Sequence, residues 1–133
     1  MKIILDESYA RVSYVEEFSE MQIIWKNVTI SFEDYKNAFV VALAAQPENN
    51  AINYMSDIRD QKVLPPHFRK WFQGNAVPRA KESGIVRGAV IFDGNIFKKY
   101  YLNHIMNTTK KFGIELKFFG EVEQAEKWFK SQM

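Results

Sequence analysis

From residue 23 to residue 131 the chain alternates between apolar runs and amphipathic stretches, and this order restricts what it can fold into. The extended candidates are Ala51–Ile58, Ile85–Phe92 and Ile114–Phe119. Each is followed by a stretch of helical period. Strands that alternate with helices build a sheet covered by helices. Ahead of them, Lys2–Leu5, Ala10–Glu16 and Met21–Trp25 read as strands whose short links favour antiparallel pairing. The expected fold is α/β: a mixed β-sheet with an antiparallel N-terminal part and βα units, helices packed on it, in a single domain over residues 1–133.

The helices are marked at their ends. Ser31 is a good N-cap with Asp34 three positions on, and Tyr35, Ala38, Phe39, Ala42 and Leu43 form one apolar stripe. Pro47 is expected to stop this helix. Pro65-Pro66 opens a second helical stretch carrying Phe68, Trp71 and Phe72. Gly74 is expected to interrupt it, Asn75 to cap a second piece, and Gly84 to close that piece as a C′ glycine. Asn95–Phe112 reads as the longest helix, with Phe97, Tyr101, Ile105, Thr108 and Phe112 inward. Glu121–Lys130 closes the pattern, with Val122, Ala125, Trp128 and Phe129 inward and its charges arranged to suit the helix dipole.

Composition removes several function classes. Apolar residues make up 47% of the chain, which supports a packed globule rather than disorder. There is no cysteine, so disulfides, thiolate metal sites and cysteine nucleophiles are excluded. The opening apolar run meets Asp6 and Glu7 at once, too early for a secretory segment. Nothing approaches the length of a membrane span. A soluble cytoplasmic protein without stable membrane insertion is expected. The net charge of +2 is too small to argue for nucleic acid. It is unevenly spread, with −4 over residues 1–59 and +6 over residues 60–133, a difference that an ordinary solvated surface accounts for.

Catalytic and metal signatures are missing. His67 and His104 are the only histidines and lie in no ligand spacing. His67 reads as a surface residue, and His104 as a packed or hydrogen-bonded one. No serine elbow or glycine-rich phosphate loop occurs. No catalytic residue, metal or cofactor is therefore expected. The most suggestive group is Asp57, Arg59 and Asp60, where a parallel strand ends, with His67, Arg69 and Trp71 behind it. Ligands and partners meet open α/β sheets at the carboxyl ends of their strands. These six residues are the candidate partner- or ligand-binding site. The alternative is an Asp–Arg pair that merely braces the loop.

The stretch Tyr54-Met55-Ser56-Asp57-Ile58-Arg59-Asp60, then Trp71-Phe72, then Val77-Pro78-Arg79-Ala80 and Gly84, resembles the SpoIIAA-like group of bacterial STAS-type proteins. Phe112–Phe119 followed by Glu123–Trp128, and Trp25-Lys26 before the first helix, fit the same likeness. The resemblance implies a mixed sheet and a cytoplasmic regulatory or ligand-binding role, and some relatives resemble lipid-carrying Sec14-type domains. The phospho-switch of that family needs a hydroxyl after a central strand, yet residues 57–67 contain no serine or threonine.

Three functions follow in order of expectation. The first is a non-enzymatic STAS-like regulatory or protein-interaction module, binding a regulatory protein partner or forming a homodimer through an exposed sheet edge. The second is a carrier of a small apolar ligand or lipid, suggested by the aromatic residues Phe68, Trp71, Phe72, Phe97, Tyr100 and Tyr101, which either fill the core or line a pocket. The third is an enzyme using Asp57 and Asp60 with shifted acidities in a cleft.

Overall fold

The computed structural model describes all 133 residues. Six strands form one mixed sheet in the order β1 (Lys2–Asp6), β2 (Ala10–Val15), β3 (Glu20–Trp25), β4 (Asn53–Asp57), β5 (Arg87–Ile91) and β6 (Glu115–Phe119). The first three pair antiparallel, and β3 to β6 run parallel. The α/β expectation holds, including the antiparallel start. Strands adjacent in sequence are adjacent in space, so each connection between parallel neighbours carries its own helices.

Those connections are α1 (Phe32–Asn49), the pair α2 (Pro66–Trp71) and α3 (Val77–Ser83), and α4 (Ile96–Lys111). All lie on one face of the sheet, as parallel neighbours joined in sequence by crossovers of one hand require. Their inward residues join one core of twenty buried residues. The last helix, α5 (Val122–Ser131), packs on the opposite face, where Ala125 and Phe129 meet Met55, Ala89 and Ile91. Strand alternation sorts the residues between these faces. Tyr54, Gly88, Val90 and Leu116 face the helical layer, and Met55, Ala89, Ile91 and Phe119 face α5.

The start of α1 is as expected: the Ser31 hydroxyl accepts from the Asp34 amide at 3.1 Å. Its end is not. Pro47 lies within the helix, which stops at Asn50 in the left-handed region with φ 54°. The last turn survives the proline because Gln46 anchors it. Its amide nitrogen donates to the Ala51 carbonyl and its oxygen accepts from the Ala51 N–H, both at 3.0 Å.

The break expected at Gly74 is also absent. A π turn, Phe72–Ala76, joins α2 to α3. Asn75 does not cap, because its side chain donates back to the Trp71 carbonyl. Such widened turns accommodate one extra residue within a continuous helix. In α4 the inward stripe is Lys98, Tyr101, Leu102, Ile105 and Thr109, whereas Phe97 and Phe112 are exposed. His104 is exposed too, edge-on to Tyr100. No helix is long and apolar enough to cross a membrane.

Candidate functional site

The alternation of β4 sends Tyr54 and Ser56 toward the helical layer, where Ser56 accepts a 3.0 Å hydrogen bond from the Trp25 indole. Beside them in register, β5 presents Gly88. A Cβ there would come within 3.0 Å of Leu116 Cδ1, so only glycine leaves this part of the sheet surface undisturbed. The chain then leaves β4 and turns inward, with the Gln61 N–H bonded to the Ile58 carbonyl. Lys98 pins this turn. Its ammonium is buried, donates to the Ile58 carbonyl at 2.7 Å and lies 3.6 Å from Asp93. From above, α2 contributes Arg69 and α4 contributes Tyr101.

These elements line a half-open cavity of about 100 Å³ between the sheet and the helices. Of its 28 lining residues, 21 are hydrophobic, so the few polar groups stand out. Four polar atoms in its wall are buried without a hydrogen-bond partner: Tyr54 Oη, Gln61 Nε2, Arg69 Nε and Tyr101 Oη. Buried polar atoms are ordinarily paired, and leaving one unpaired costs about 1–3 kcal/mol. Four such exceptions fall on residues that line one apolar space, which makes it the candidate ligand site.

Electrostatics describe the same cluster. The Arg69 guanidinium lies 4.7 Å above the Tyr101 ring and has no carboxylate partner. Burial pushes the hydroxyls of Tyr35, Tyr54 and Tyr101 above the ordinary tyrosine range, while Arg69 pulls in the opposite direction at Tyr35 and Tyr101. All three phenols are therefore neutral at physiological pH. The wall presents donors and one uncompensated positive charge.

The six residues singled out in the sequence separate in space. Asp57 is buried and committed to Arg59, accepting from its Nη2 at 2.8 Å, its Nε at 3.0 Å and its backbone N–H at 3.2 Å. Arg59 also reaches Glu121, the N-cap of α5, at 3.5 Å. The pair thus ties the end of β4 to the start of α5. Asp60 is exposed. His67 is exposed and packs edge-on against Phe32 and Phe68. Trp71 is half-buried among Phe32, Tyr35 and Phe39. Of the six, Arg69 alone lines the cavity.

No family model, curated protein or solved structure matches this chain.

Sequence reasoning missed Tyr54 and Gln61 as lining residues, whereas Tyr101 is among the aromatic residues it offered for an apolar pocket. Tyr54 and Tyr101 sit on inward faces, where a tyrosine reads as ordinary core. What distinguishes them is the lack of a partner for each hydroxyl, and no linear pattern records that. Outside the cavity, no three acidic or histidine side chains gather closely enough to hold a metal ion.

Proposed function

We propose that this protein is a non-enzymatic binding module whose cavity takes a small, mainly apolar molecule. The observation that carries this reading is the coincidence of an apolar space with four unpartnered polar atoms in its wall. An apolar cavity of roughly 150 Å³ accepts benzene. At about 100 Å³ the space here is smaller, so it suits a molecule no bulkier than benzene and excludes a two-chain lipid.

A panel of benzene, benzyl alcohol, benzoate and hexanoate tests the reading by amide chemical shifts and by Trp25 fluorescence, since Trp25 lines the cavity. At least one member should bind and perturb Tyr54, Gly88 and Tyr101 together. Ala76→Phe, which fills the space from the π turn, should abolish the response. Failure of every probe, or binding unaffected by the filled cavity, would reject the assignment.

A second reading is a STAS-like regulatory module that binds a protein, including a second copy of itself. The sequence likeness at Tyr54–Asp60 motivates it, and one surface feature favours it. Ile96, Phe97 and Tyr100 cluster on the first turns of α4, exposed by 76%, 67% and 69%. Exposed apolar clusters of this kind often mark interaction surfaces. Light scattering should show a mass above one chain that Phe97→Ser returns to one chain. A single-chain mass at all concentrations would remove self-association as the role of this patch.

A further inference from the structure

The outer face of α4 has a composition that selects its partner. Ile96, Phe97 and Tyr100 gather on the first two turns with most of their surface in solvent. Further along the same face come Asn103, Asn107, Lys110 and Lys111, all exposed. These positions lie opposite the buried stripe that faces the sheet, and Lys99 stands exposed beside them. No acidic residue occurs between Asp93 and Glu115.

The neighbouring helices extend the positive charge. From α2 through the π turn and α3 to α4, these helices carry eight lysines and arginines and one acid, Glu82. The Lys81 ammonium reaches the end of α4, 3.4 Å from where a Cβ on Gly113 would stand, so it adds to Lys110 and Lys111. The acids nearby are otherwise engaged. Glu82 lines the shallow groove toward α1 with Arg79, and Asp93 lies 3.6 Å from the buried Lys98. Helix α1, by contrast, carries three acids and one lysine.

Two copies meeting through α4 would set an acid-free, lysine-rich face against itself, and like charges oppose that contact. An anionic surface removes the opposition. None of Ile96, Phe97 and Tyr100 lines the cavity or the groove beside α1, so they form a ridge rather than a socket. An apolar ridge with lysines along the same helix is the composition of an element that lies in the headgroup region of a bilayer.

We propose that α4 docks this protein on the surface of an anionic lipid bilayer. The Ile96 and Phe97 side chains enter the boundary between headgroups and acyl chains. The Tyr100 ring sits with them and keeps its hydroxyl at headgroup level. Lys110 lies about 21 Å along the helix from Ile96, so Lys99, Lys110, Lys111 and Lys81 meet lipid phosphates when α4 lies along the surface. The helix rests on the bilayer and does not cross it. This assignment goes beyond the small-molecule reading and does not depend on it.

Co-sedimentation with phosphatidylcholine vesicles, with and without phosphatidylserine, tests the proposal. The protein should pellet with the anionic vesicles at low salt and bind the neutral ones about tenfold more weakly or less, as several cations near a charged surface require. Raising the salt should remove the difference. Phe97→Ser should weaken binding to the anionic vesicles about tenfold. Lys110→Glu combined with Lys111→Glu should remove the preference for them. Val40→Ser, which alters an exposed apolar residue on α1, should change neither. All these positions are exposed, so the variants keep the fold. Failure to bind anionic vesicles, or binding that survives both the Phe97 and the lysine substitutions, would overturn the proposal. So would a soluble dimer that Phe97→Ser dissolves in place of vesicle binding, which would assign the face to a second copy. Capture on polyglutamate but not on vesicles would overturn it as well, in favour of an acidic protein.

Discussion

Replacing Phe129 by alanine is expected to cost about 3–5 kcal/mol, the usual penalty for removing a fully buried aromatic ring from a core that cannot collapse around the gap. The α5 face of the sheet has little else to hold it. Its core contains five buried residues, of which Phe129 is the one aromatic, and its remaining cover is the half-buried Trp128 and its neighbours. Trp128 packs tilted against Phe129 at 5.4 Å and Phe119 at 5.9 Å, so its own packing depends on the ring beneath it. A domain of this size has roughly 5–15 kcal/mol in total, so the variant should lie near the edge of stability at 37 °C. Urea titration followed by far-UV circular dichroism measures the loss. A cost below about 1 kcal/mol would mean that α5 is not docked as described.

The second large effect concerns Glu20. Its side chain is fully buried on the α5 side, beside Glu126 and Gln22. Burial, followed by the hydrogen bond and charge of Glu126, pushes its carboxyl up to about 9, with Gln22 opposing. Once protonated, Glu20 can donate to the Glu126 carboxylate, which is why the acid form suits the fold. In the unfolded chain the same group ionises near 4.5. Between these values the folded state holds a proton that the unfolded state has released, so stability must fall as pH rises. The slope approaches about 1.4 kcal/mol per pH unit through that window. Glu20→Gln keeps the shape and a donor and removes the titration. It should be more stable than the wild type at pH 8, with the advantage vanishing near pH 5. Parallel stability curves for the two proteins between pH 5 and pH 8 would contradict this account.

The fold was legible because period and order carry it. The three central apolar runs could only be strands alternating with helices, and the short early links could only pair antiparallel. Boundaries were harder where tertiary contacts overrode local signals. Pro47 is a strong stop in isolation, but Gln46 holds the last turn to Ala51 from both sides. The stripe of α4 differs from the expected one because an aromatic side chain on a helix is not always inward. Phe97 points out, while Lys98 points in, since the carbonyl of Ile58 supplies an acceptor for its ammonium.

The site was less legible than the fold. Arg69 follows the end of a parallel strand and does line the cavity, but what sets it apart is the absence of a counter-charge. Asp57 and Arg59, equally prominent in the chain, are spent on each other and on Glu121. A linear reading records which residues are polar. It does not record which of them remain unpaired once the chain has folded.

The widened turn at Phe72–Ala76 has a consequence for how such a cavity could change over time. One residue of an ordinary helix corresponds to about 100° of rotation. A chain one residue shorter at this point would keep its helical layer but aim the preceding turn, and Arg69 with it, at a different neighbour. Changes of length in this segment, more than exchanges of side chains, would then be the simplest route by which the wall of this cavity is reshaped.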